Sequence, residues 1–151
     1  MPDNSLAEYK RVLAIDYGVK RIGLALSDPL QLIASPFKTI PNDQQLFNEL
    51  KKIIEEQSVE KIILGFPEHD KGTSTSIVQE LEKFKADLEK QTGLQIIFWD
   101  ETFTSSIARD RVLLSVNKKS KRRDKGLIDS NAAAIILQEY LDTAYQSKNK
   151  N

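Results

Sequence analysis

The chain has 151 residues, 40% of them apolar, with 22 basic and 22 acidic side chains and a formal net charge of zero. That length fits one compact domain with its own core and excludes two substantial ones, while the balanced charge excludes a uniformly basic coat and leaves a local basic patch as the only polyanion footprint. With no cysteine and one histidine, His69, disulfides and zinc sites are excluded, so a catalytic metal would be held by oxygens, as Mg²⁺ or Mn²⁺ are.

Residues 1–10 are polar and expected to be an irregular lead-in. Val12 to Leu26 (VLAIDYGVKRIGLAL) reads as two short strands joined at Gly18-Val19-Lys20, a hairpin in which Gly18 supplies the positive φ of a tight turn. Gln31 to Ile40 is a third, weaker strand, and Pro36 confines it to an edge or a bulge. Asn42 or Asp43 then caps a helix whose Leu46, Leu50, Ile53 and Ile54 follow the helical period.

Lys61 to Phe66 (KIILGF) has the continuous apolar character of a strand buried on both faces. A loop, Pro67 to Thr75, leads to a helix opened by a capping box of Ser76 and Gln79, with Ile77, Leu81, Phe84 and Leu88 on one face and Gly93 at its end. Leu94 to Trp99 is another buried strand, closing on Asp100-Glu101. A helix from about Ser105 to Leu114 follows, then the charge run Lys118 to Lys125, a last helix from about Ile128 to Ala144, and an irregular tail from Gln146. Three meandering strands followed by two that alternate with helices predict an α/β fold, a mixed five-stranded sheet with helices packed over it. No apolar run reaches about 18 residues and the N-terminus lacks a signal-peptide layout, so a cytoplasmic protein with no membrane partner is expected.

Sites in such sheets form beyond the carboxyl ends of neighbouring parallel strands. Asp16 ends the first strand, Asp100 and Glu101 end the last, and Asp129 opens the final helix. If the first strand lies beside Lys61 to Phe66, these acids share one edge. Ionised carboxylates crowded together need a cation among them, and two Mg²⁺ held so promote attack of water on a phosphodiester. Each acid also has a plain structural reading: Asp129 as a helix N-cap, Asp16 as a turn residue, Asp100-Glu101 as a polar strand end.

The blocks AIDYGVKRIGLALSD, ILGFP with the following Gly72-Thr73, WDETFTS and IDSNAAAIILQEYL resemble, in order and spacing, those of the YqgF/RuvX family of candidate pre-16S rRNA nucleases. The family is also described as Holliday-junction-resolvase-like, with a ribonuclease H-like fold. The resemblance spans Val12 to Leu141. It implies strand order 3-2-1-4-5, an endonuclease dependent on Mg²⁺ or Mn²⁺ that processes the 5′ end of precursor 16S rRNA, and catalytic, metal-holding acids at Asp16, Glu101 and Asp129. Asp100 would support them from one position before the motif glutamate. The chain departs from the family at Thr102, where an arginine is usual, removing a phosphate contact or a brace for the acids.

Gly18 would give a phosphate room beside Asp16, and the N–H groups of Gly72-Thr73 ahead of a helix could hold one; a turn glycine and an ordinary loop are the alternatives. Arg21 pairs with a phosphate or with an acid. The run leading into Asp129 carries Lys119, Lys121, Arg122 and Arg123, which as a basic loop would draw in a nucleic-acid backbone without reading bases, or serve only as solvated surface. Three functions stand at this point: the nuclease, on precursor rRNA or on branched DNA as a Holliday-junction resolvase; a non-catalytic nucleic-acid or ribosome-assembly binding module, which Thr102 favours; and a nucleotide phosphotransferase, disfavoured because that chemistry needs two lobes.

Overall fold

The computed structural model describes residues 9–66, 75–100 and 125–148. The chain order is β1 (Arg11–Tyr17), β2 (Arg21–Ser27), β3 (Ala34–Pro41), α1 (Leu46–Glu56), β4 (Val59–Phe66), α2 (Thr75–Thr92), β5 (Gln95–Asp100) and α3 (Lys125–Lys148). The five strands form one mixed sheet in the order β3-β2-β1-β4-β5, as expected. β1, β2 and β3 pair antiparallel, and β1, β4 and β5 pair parallel. The expected helix at 105–114 lies outside the described residues.

Alternation along the strands sorts their side chains onto two cores. Leu13, Ile15, Ile22, Leu24, Ile62 and Leu64 face α1 and α2 and pack with Leu50, Ile53, Leu81, Phe84 and Leu88. Val12, Ala14, Ala25 and Ile63 face the other way, against Ala133, Ala134, Leu137 and Leu141 of α3. Small residues on both sides of this second contact let α3 lie close to the sheet.

The edge reading of β3 holds. Its register with β2 slips so that Leu24 faces Lys38 while Ala25 faces Pro36, which leaves Phe37 as the extra residue of a bulge. Gly93 ends α2 in the left-handed region, φ +71°, its N–H donating to the Glu89 carbonyl at 2.8 Å.

Several local expectations are corrected. The Gly18 turn does not use positive φ; a Cβ there would stand 2.4 Å from the Arg21 carbonyl oxygen, so the glycine is required by close backbone approach. Asn42 does not cap α1: its amide donates to the Gly18 carbonyl at 2.9 Å, closing the β1–β2 turn from outside. Asp43 accepts the Gln45 N–H at 2.9 Å in a turn just ahead of the helix. α2 begins at Thr75, so Ser76 stands in its first turn instead of capping it.

α3 begins at Lys125, which places Asp129 inside the helix and removes its reading as an N-cap. The same helix continues to Lys148, past the start of the expected tail at Gln146, because adding polar residues of good propensity to a formed helix needs no new nucleus.

Candidate active site

Asp16 is the residue from which the site can be built. It is the penultimate residue of β1, half-buried, and its strand parity with Val12 and Ala14 puts it on the α3 side of the sheet. It pairs with Gly23 on β2 and with Gly65 on β4; beyond these, Gly23 pairs with Thr39 and Gly65 with Trp99. One row of the sheet therefore reads Thr39, Gly23, Asp16, Gly65, Trp99. A strand-interior glycine costs about 0.5–1 kcal/mol relative to alanine, and two of the six glycines in the chain flank this one acid.

Asp100 lies at the end of β5, paired with Phe66, one step beyond that row and two strands from β1, a backbone separation of about 10 Å. The position of Asp129 follows from how α3 is anchored. The Gln138 amide oxygen accepts the Ala34 N–H at 2.9 Å, and its NH₂ donates to the Leu32 carbonyl at 3.0 Å. Ala34 pairs with Ser27, whose hydroxyl accepts the Val12 N–H at 2.8 Å, so Gln138 sits level with the start of β1. The Tyr140 hydroxyl accepts from Lys61 at 2.9 Å, level with the start of β4. Running back from Gln138 to Asp129 spans about 13 Å of helix. Four strand steps from Val12 to Asp16 span about the same. The length of helix before Gln138 is thus about that needed to span the sheet to the end where Asp16 stands.

The opposite face braces the same turn. The Tyr17 hydroxyl donates to Glu80 of α2 at 2.6 Å, and its ring packs on Phe84 with centroids 5.0 Å apart. Burial holds this hydroxyl above the ordinary tyrosine pKa, and the hydrogen bond to Glu80 adds to the rise, while one with Asn42 works against it. Tyr17, Asn42, Gln138 and the pair Gly23 and Gly65 escape a reading of sequence alone. Their roles depend on register, which a linear pattern does not carry.

Arg21 is exposed at the first position of β2, opposite Pro41. Among the described residues no three His, Cys, Asp or Glu side chains cluster. Glu101, Gly72, Thr73, Thr102, His69, Lys119, Lys121, Arg122 and Arg123 lie outside the described residues, and Asp100 and Asp129 are described as backbone positions only.

Comparison with known proteins agrees with this architecture. T. thermophilus RuvC in complex with Holliday junction substrate shares the fold, with a TM-score of 0.58 at 15% identity over 89% of this chain and 96% of that one. A candidate pre-16S rRNA nuclease of Chlorobaculum tepidum is 36% identical over 92% of this chain and 98% of its own length. Another, of Bacteroides fragilis, is 37% identical over 88% and 96%. The sequence profile of RuvX, described as Holliday junction resolvase, matches residues 10–143, and the chain belongs to that family.

Proposed function

We propose that this chain is a divalent-metal-dependent endonuclease, a phosphodiester hydrolase acting on structured nucleic acid, with precursor 16S rRNA as its substrate. Membership of the RuvX family and the naming of relatives that match over nearly their full length support the reaction class. The observation that supports the site is that Asp16 and the end of β5 lie at the same end of the sheet, with Asp129 in the early part of the helix that packs on Asp16's face. In this reading Asp16, Glu101 and Asp129 hold the cations, and all of residues 1–151 serve one domain. Among the described residues no helix is long and apolar enough to cross a membrane; the proposed place of action is the cytoplasm, where precursor rRNA would be processed.

The donor set fits Mg²⁺ or Mn²⁺: the acids offer hard oxygens, and bare glycines flank Asp16 where a Cβ on either side would take up space. When bound, such cations supply Lewis acidity that promotes attack of water on phosphorus and stabilises charge on the departing oxygen. The chain's own contribution is to hold Asp16 still. The turn behind it is tied by Asn42 to the Gly18 carbonyl and by Tyr17 to Glu80, so its carboxylate is placed before substrate arrives. Lys119, Lys121, Arg122 and Arg123, with Arg21, bring in the phosphate backbone.

The test is cleavage of a labelled RNA spanning the 5′ end of precursor 16S rRNA, beside a four-way DNA junction, in Mg²⁺, Mn²⁺ or EDTA. Metal-dependent RNA cleavage is expected, lost at least about 100-fold in Asp16→Asn, a deficit of about 3 kcal/mol in transition-state stabilisation. Preferential cutting of the junction would favour the resolvase reading that the family description suggests. Undiminished binding in EDTA without turnover under any metal would mark a non-catalytic binding module.

A further inference from the structure

Among the described residues seven large apolar side chains stand exposed, and they are not scattered. Five of them, Tyr9, Leu30, Leu32, Ile33 and Tyr145, belong to the end of the sheet away from Asp16. Tyr9 leads into β1, and Leu30 to Ile33 lie in the loop between the end of β2 and the start of β3, where Ser27 pairs with Ala34. Tyr145 stands seven residues beyond Gln138, two turns on along the same stripe of α3, and Gln138 itself donates to the Leu32 carbonyl. The loop has a fixed shape. The Asp28 carboxylate accepts the N–H groups of Leu32 and Ile33 at 2.7 and 2.9 Å. Gln31 holds left-handed backbone, φ +59°, and its side-chain amide donates to the Lys10 carbonyl at 2.8 Å and to Glu60 at 2.6 Å. Polar groups of the loop are thus satisfied within the chain while its apolar side chains are left to water.

We infer that this end of the molecule is the contact surface between two copies of this chain. The five side chains are each between 42% and 62% exposed, which at about 200 Å² for a large side chain leaves about 500 Å² of apolar surface on one copy. That is as much as monomers ordinarily expose in one patch, and two such faces together bury about 1,000 Å², the area a specific interface needs. Charge selects the occupant. The residues to which Gln31 is tied, Lys10 and Glu60, are both exposed, so the rim of the surface carries one group of each sign. A polyanion meets no excess of positive charge there, whereas a twofold axis sets opposite charges on the facing rims of two identical copies. The formal net charge of zero also leaves no long-range repulsion between copies. Asp16 lies at the other end of β1, so a dimer joined here carries its two candidate sites at its far ends. The inference does not depend on the nuclease reading.

The experiment uses the full chain and reads mass by sedimentation equilibrium from low to high micromolar concentration, with circular dichroism to follow folding. The parent is expected to pass reversibly from monomer to dimer over that range. Leu30→Asp combined with Ile33→Asp, and separately Tyr145→Asp, should each weaken the dimer at least about tenfold while keeping the parent's helix content. Phe37→Asp, at an exposed apolar residue on the β3 bulge outside this surface, should leave the dimer unchanged. A parent that stays monomeric throughout would overturn the inference and leave the surface to a different protein. A dimer that resists both sets of substitutions, or that Phe37→Asp disrupts as strongly, would overturn it as well. Were the loop variant to unfold, Tyr145→Asp, on the exposed last turns of α3, decides alone.

Discussion

At the scale of the single residue, Tyr17 joins the buried face of the sheet to the turn that carries Asp16. Its hydroxyl bonds Glu80 and its ring contacts Phe84, which in turn stacks on Phe47 at 5.7 Å. Tyr17→Phe keeps the ring contacts and removes the hydroxyl, so the expected loss of stability is small, about 0.5–1.5 kcal/mol. The pH dependence is more diagnostic. Because the folded-state pKa is raised, the neutral hydroxyl is favoured by the fold. The stability it contributes is therefore complete below the ordinary tyrosine value of about 10 and falls as pH rises from there through the folded-state value. Urea denaturation of parent and Tyr17→Phe between pH 8 and about 11.5 checks this. The difference between them should shrink above about pH 10, and a constant difference would show that Tyr17 titrates alike in both states.

Among the elements, α3 packs on Ala34 of the edge strand and is hydrogen-bonded to it through Gln138. Gln138 is 2% exposed, accepts the Ala34 N–H, and donates both to the Leu32 carbonyl and to Asp142 at 3.0 Å. It thus pairs with the start of β3 much as another strand would, and covers backbone groups that an edge leaves open. Gln138→Leu keeps the bulk but orphans the buried Ala34 N–H and removes the donor to the part-buried Leu32 carbonyl, for an expected cost of about 1–3 kcal/mol. Chemical denaturation measures it, and amide exchange at Ala34 should quicken in the variant while Leu13 stays protected. The contrast between these elements explains what is readable in the sequence. β1 and β4 are legible because strands buried on both faces read as unbroken apolar runs, and β3 because Pro36 marks an edge; β5 has the same apolar run but is the other edge strand, with only Ile96 buried among its described side chains, so the expectation of a buried strand there is corrected. Asp16 is legible as an isolated acid ending such a run. Gln138 is not: a glutamine on a helix is usually solvated, and only the chain's return to β3 more than a hundred residues later gives it a buried partner. Asn42 misleads for a related reason. It has the right chemistry and spacing for a cap, and a tertiary acceptor, the Gly18 carbonyl, takes its amide instead.

For the whole molecule, the balance of 22 basic and 22 acidic groups means that no net field pulls a polyanion in from a distance. Attraction must come from local clusters, and the densest run of positive charge is Lys118 to Lys125, which carries five lysine and arginine side chains besides the Lys118 that opens it and leads directly into α3 and Asp129. Charge concentrated there would hold the backbone of a nucleic acid near the proposed site at Asp16, without selecting sequence. Replacing Lys119, Lys121, Arg122 and Arg123 together by alanine should weaken binding to RNA and to branched DNA alike. It should also flatten the salt dependence, by about 0.9 in the slope of log K against log salt for each duplex phosphate no longer neutralised, or about 0.7 for a single strand. Fluorescence anisotropy titrations from about 50 to 200 mM KCl measure that slope. A slope equal to the parent's would place the phosphate contacts elsewhere, with Arg21 at the start of β2 the next position to neutralise. Because the substitutions leave Asp16, Glu101 and Asp129 in place, cleavage at saturating substrate should stay near the parent rate while the concentration for half-maximal rate rises. That split separates delivery of the substrate from the chemistry performed on it.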